Sequence, residues 1–169
     1  MGRDADVVAD GILGGELFLP ALHGIGMVVL QKRRWEVKHI FILLVLFQIK
    51  HFVCDFPLQG KYMLGKFKPD FKDWFQPLLA HAMVHFIGTG IFVIPLYCLI
   101  AGVKIQAWWA FLAAGDLIVH FTVDRIKASP NMLGRWKPDN RYFWWALGAD
   151  QMAHHLTHYA IIAVLVWKT

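Results

Sequence analysis

Four stretches of this chain, roughly residues 38–56, 77–103, 105–126 and 142–167, are each apolar for long enough to cross a bilayer, which takes about 20 helical residues. This feature constrains the fold most, because a backbone in hydrocarbon must satisfy its own hydrogen bonds, and a helix does so within one segment. Composition agrees: 57% of the 169 residues are apolar and the mean hydropathy is +0.46, above the usual range for a soluble domain. Trp108, Trp109, Trp144, Trp145 and Trp167 fall at or near the ends of these stretches, with Trp35 and Trp74 just outside. Amphipathic rings collect at headgroup level in this way. The chain therefore reads as all-α, an integral membrane four-helix bundle. Residues 7–30 are also apolar, but they carry Asp10, Glu16, Pro20 and several glycines. Lacking the basic start of a signal peptide, this segment reads as an N-terminal arm lying at the interface or against a partner, with a fifth span as the lesser option.

An internal repeat organises the rest. A shift of 69 residues lays Met63-Leu64-Gly65-Lys66-Phe67-Lys68-Pro69-Asp70 on Met132-Leu133-Gly134-Arg135-Trp136-Lys137-Pro138-Asp139, with six of eight positions identical. Without a gap, the same shift lays His51 on His120, Asp55 on Asp124, His81 on Asp150 and His85 on His154. Apolar residues align by chance in membrane segments, whereas rare polar ones in register do not. The organisation is then an arm (1–37) followed by two duplicated hairpins (38–103 and 104–169). With two helices per copy, the copies run in the same direction, as in parallel-repeat membrane proteins.

The repeat yields four i, i+4 pairs: His51/Asp55, His81/His85, His120/Asp124 and Asp150/His154. Residues four apart share a helix face. The first and third pairs end their helices and the other two begin theirs, so alternating helix directions put all four at one membrane side. Ionisable groups in a membrane are costly, about 2.5–3.5 kcal/mol for a central Asp, and are functional candidates by default. Coordination of a divalent metal, zinc first, offsets that cost with these same donors. Five histidines and three aspartates exceed one ion's needs, so the cluster suits two ions, or one ion with Asp55, Asp124 or Asp150 free as a general base. Di-iron bundles use paired donors from four helices in a similar way, an analogy of fold only. The plainer alternative is a hydrogen-bonded network that holds the helices together. Asp116 and His158 extend the same faces by a turn, while His155 points about 100° from His154.

The repeated loop has two readings. Gly65, Gly134 and the Pro-Asp pairs suit a turn into the next helix. Lys66, Lys68, Arg135 and Lys137 suit anionic lipid headgroups. A net charge of +5 belongs to loops flanking spans, so lipid is the nearer partner and nucleic acid is not expected. Cys54 and Cys98 stand singly in apolar runs and read as inert thiols.

With these residues in view, the chain resembles a family of small bacterial and phage membrane proteins that carries only a domain-of-unknown-function designation (3307). The likeness rests on His51, Asp55, Phe56 and Gln59, then His81 and His85, then His120, Asp124 and Lys127, and last Asp150, Gln151 and His154. It covers about residues 38–167 and implies no activity. More loosely, the chain is similar to intramembrane metal hydrolases such as alkaline ceramidases. The leading expectation is a metal-dependent hydrolase of a lipid-borne ester, amide or phosphoester in a bacterial inner membrane, its cluster facing the cytoplasm. Two others stand beside it: an accessory subunit docked through its arm, and pigment, haem or proton handling by the helix-borne His and Asp.

Overall fold

The computed structural model describes residues 15–168, which contain helices and turns and no strand. The α-helices are α1 (Gly15–Asp55), α2 (Phe71–Ile87), α3 (Ile94–Ala101), α4 (Ala110–Ala128) and α5 (Arg141–Lys168). Short 3-10 turns at Met63–Phe67, Ala107–Trp109 and Leu133–Arg135 punctuate the connections, and a π-helical turn at Gly88–Val93 joins α2 to α3. The chain divides into two units, Met1–Lys38 and His39–Thr169, and the whole candidate site lies in the second. The arm expected over 7–30 lies outside the described residues as far as residue 14, and it is helical from Gly15 onward.

Two of the four expected spans are long and apolar enough to cross a membrane: Glu36–Asp55 and the continuous helix Phe71–Ala101. The equivalents in α4 and α5 are diluted by the aspartates, basic residues and histidines that lie within them. How each helix distributes its residues is as informative as their average. Helix α1 buries Leu43, Phe47, Lys50, His51 and Cys54, while Phe41, Val45, Ile49 and Phe52 are turned outward. Helix α4 buries Ala113, Asp116, His120, Asp124 and Ala128 and exposes Phe111 and Ile118. The inner stripe of α4 is small or ionisable and its outer stripe large and apolar, the reverse of a helix in a water-soluble fold.

The buried interior changes character along the bundle. One half is apolar, built from Leu43, Phe47, Val93, Ile94, Tyr97, Trp109, Ile161 and Leu165 among others. The other half, beneath the loops of residues 56–70 and 129–140, holds the ionisable groups.

These loops differ in how they enter the next helix. Asp70 precedes α2 with extended backbone (φ −79°, ψ 135°), and its carbonyl accepts the Asp73 and Trp74 N–H groups, while its side chain makes no cap. At α5 the cap moves one residue on: Asn140 Oδ1 accepts the Tyr142 N–H at 2.9 Å. The repeated glycines are needed for room rather than for a left-handed turn, since among the described residues the glycine with positive φ is Gly102. A Cβ on Gly65 would sit 2.7 Å from Pro77 Cγ, and one on Gly134 would sit 2.5 Å from the Ala128 carbonyl oxygen. The second clash is with backbone at the end of α4, which cannot rotate away. Gly134→Ala should therefore cost about 1–3 kcal/mol, the usual range for overpacking, read as loss of stability on denaturant unfolding in detergent. Gly60→Ala, with nothing within 4 Å of the added carbon, serves as the control.

Candidate metal centre

Each of the four long helical segments contributes a stripe to one buried cluster. Helix α1 brings His51 and Asp55, α2 brings His81 and His85, α4 brings His120 and Asp124, and α5 brings Asp150 and His154. All eight expected residues come together. The histidines are 0–5% exposed, and three subsets converge so that one ligand atom per residue lies within 4.8 Å of the others. The subsets are His51/Asp55/His85/His120, His81/His120/Asp124 and Asp124/Asp150/His154. These buried His/Asp groups can hold a metal ion.

Asp55 lies among the imidazoles. His85 Nε2 is 2.9 Å from its Oδ1 and His51 Nε2 is 3.1 Å from its Oδ2. His81 and His120 Nε2 lie 3.4 and 3.8 Å from Oδ1. Ligands at 2.0–2.1 Å from a tetrahedral ion are separated by about 3.3 Å, and the four distances bracket that spacing. The rings of His85, His120 and His154 form a stack, with centroids 3.4 and 3.8 Å apart. Neither nitrogen of His120, both of them buried, makes a hydrogen bond among the described residues, so neither is committed to a protein partner.

Contacts across the two hairpins correspond. His85 Nε2 reaches Asp55 Oδ1 at 2.9 Å, and 69 residues on His154 Nε2 reaches Asp124 Oδ1 at 3.3 Å. One turn deeper the contacts cease to correspond, because the offset lays Phe47 on Asp116. The offset lays Thr89 on His158, and both face Asp116: Thr89 Oγ1 donates to Oδ2 at 2.6 Å, and His158 Nε2 lies 3.6 Å from Oδ1. The π-turn that holds Thr89 aims this hydroxyl inward, a common use of such turns.

Three lysines complete the cluster. Lys50 Nζ lies 2.6 Å from Asp116, Lys66 Nζ 2.6 Å from Asp124, and Lys127 Nζ 2.7 Å from Asp150. Lys66 also donates to Gln59 at 2.8 Å. Lys66 is thus turned into the bundle, away from the headgroup level where the loop composition suggested it. Gln151 donates to Asp150 Oδ2 at 3.0 Å and meets His51 Nε2 at 3.3 Å. Lys50 was findable as a lone ammonium inside an apolar run. Lys66 carried no such signal, because only the folded loop brings it over Asp124. Arg125 pins that loop, donating to the Lys66 carbonyl at 3.3 Å with its guanidinium 3.8 Å from the Trp74 ring centre. His155 bonds Gln48 at 3.0 Å and His39 packs edge-on to Tyr97, so neither belongs to the cluster.

The charges are unevenly compensated. Asp116, Asp124 and Asp150 each bind a lysine, leaving one net negative charge among four carboxylates and three ammoniums. That charge sits on Asp55, which has neutral-capable imidazoles around it and no lysine or arginine within ion-pair distance among the described residues. The Asp55 side chain is 17% exposed, so water meets part of this charge and a bound cation would meet the rest. Of the three subsets, the one around Asp55 is therefore the electrostatically favoured cation site.

Residues 40–169 match a protein family described as a protein of unknown function, DUF3307. No curated protein and no solved structure matches the chain.

Proposed function

This chain belongs to the DUF3307 family, and from its site we propose that it is a metal-dependent membrane hydrolase acting on a lipid-borne ester, amide or phosphoester. The observation that carries the reading is the uncompensated Asp55 carboxylate ringed by His51, His85 and His120, at spacings that suit one divalent ion, zinc first. A second ion at Asp124/Asp150/His154 is disfavoured, since Lys66 and Lys127 already neutralise both of its carboxylates. The bundle is read as four spans made of two duplicated hairpins. The outward-facing phenylalanines and isoleucines support the membrane setting, and the matched His85–Asp55 and His154–Asp124 contacts support the duplication. The basic residues of the loops on the cluster side support a reading in which that side faces the cytoplasm of a bacterial inner membrane.

A metal lowers the pKa of bound water to about 7, creating a nucleophile at neutral pH. We assign the proton to Asp150: its Oδ2 is held by Lys127 and Gln151, while Oδ1 makes no hydrogen bond among the described residues and has His154 Nε2 3.5 Å away. An ion held by His51, Asp55, His85 and His120 would supply such a water for attack on the carbonyl carbon or phosphorus, and Asp150 would return the proton to the oxygen or nitrogen that departs as the ester or amide bond breaks. Cys54 and Cys98 are buried, which leaves metal-activated water as the better nucleophile.

The test is metal content and turnover on the same preparation. Purified protein should hold about one divalent ion per chain, and it should hydrolyse one class in a panel of membrane lipids. Chelation should stop turnover and zinc should restore it. Protein that takes up no ion on dialysis against zinc would overturn the reading. It would favour the alternative, a structural subunit of a larger complex, which the three lysine–aspartate pairs suit on their own.

A further inference from the structure

Of the three cluster lysines, Lys127 is the one that can be reached from outside. Its side chain is 30% exposed, against 4% for Lys50 and 8% for Lys66. It opens on a cavity of about 230 Å³ under the second repeated loop, lined by Phe67, Lys127, Trp136, Lys137, Phe143 and Leu147 among others. Lys137 gives this cavity a cationic rim, and Lys127, paired with Asp150, gives it a floor with ammonium donors to spare. An ammonium has three donors, and the bond to Asp150 at 2.7 Å uses one of those on Lys127. Lys137 is exposed and has no carboxylate within ion-pair distance among the described residues. The remaining walls are aromatic and aliphatic.

We infer that this cavity binds the phosphate of an anionic amphiphile, Lys127 and Lys137 holding the phosphate while the apolar walls hold the carbon atoms beside it. The volume fits a phosphate with its glycerol, and leaves the chains outside in the bilayer. The unpaired charge of Lys137 and the spare donors of Lys127, at the end of an apolar slot, favour a phosphate-bearing headgroup over an uncharged one. The floor also borders the cluster, because the same Lys127 holds Asp150, the proposed base. The inference deepens the hydrolase reading by naming its substrate class, and it rests on that reading for the membrane setting.

The test is lipid retention measured on chelator-treated protein, so its outcome is independent of metal binding. Purified full-length protein in neutral detergent is offered phosphatidylglycerol, diacylglycerol or inorganic phosphate, and bound molecules are counted by native mass spectrometry. Phosphatidylglycerol should be retained and diacylglycerol should not. At about fivefold per basic residue, Lys137→Gln should weaken retention about fivefold and Lys137→Glu about 25-fold. Lys104→Glu, in the loop after α3, should leave it unchanged. Equal retention of diacylglycerol, or no response to Lys137→Glu, would overturn the inference. Inorganic phosphate binding as tightly as the lipid would show a free-anion site and overturn the amphiphile assignment. A failure here leaves the metal result standing, and an empty metal site leaves this one measurable.

Discussion

Replacing Asp55 with asparagine should empty the metal centre, taking the protein from about one bound ion per chain to nearly none. Losing even an outer partner of a metal ligand costs 10–100-fold in affinity, so losing the carboxylate at the centre of three imidazoles should cost more than about 100-fold. The amide keeps the shape of the side chain but removes the one negative charge that no lysine offsets. Asp150→Asn is the matching control. Its Lys127 partner is partly exposed and can reach water, so the fold should hold and the ion should remain. Turnover should nevertheless fall by about 10²–10⁴, the usual worth of a general base. Metal analysis by plasma mass spectrometry on both variants checks the pair. If Asp150→Asn strips the ion and Asp55→Asn does not, the ion sits between α4 and α5, and the charge argument is wrong.

Replacing Lys66 with methionine should be strongly destabilising. Its ammonium is the cation on Asp124 Oδ2 and the donor to Gln59, in a side chain only 8% exposed. Removing one partner of a buried ion pair leaves an uncompensated charge and costs about 3–5 kcal/mol. The loop of Met63–Phe67 would lose its anchor to α4 at the same time. Lys66→Met combined with Asp124→Asn should recover much of the loss, because the stranded charge is gone. Lys127→Met should cost clearly less, since water reaches that pair. Denaturant unfolding in detergent gives the order, and a Lys66→Met loss no larger than that of Lys127→Met would contradict the burial assigned to it.

Much of the candidate site was legible in the sequence because the constraint on it is simple. An i, i+4 pair must share a helix face, and helices that alternate in direction return the same sequence region to the same level. His51/Asp55, His81/His85, His120/Asp124 and Asp150/His154 needed only those two rules. The loop glycines were legible as special positions but not for the right reason. Gly134 is required by the approach of its loop to the Ala128 carbonyl, which is a distance between residues six apart on a path that bends.

The cations were the part that pattern alone did not place. A lysine carries its charge on four methylenes and several rotatable bonds, so its sequence position says little about where the ammonium goes. Lys50 neighbours His51 in sequence yet serves Asp116 on another helix, and Lys66 leaves a loop to serve Asp124. The sequence by itself therefore determined which acids and imidazoles gather at one level of the bundle, since helix geometry is local and periodic. Tertiary structure alone decided which of those acids are neutralised, because that depends on long side chains meeting across helices. Asp55, left without a cation, is distinguished from its equivalent Asp124 by that packing.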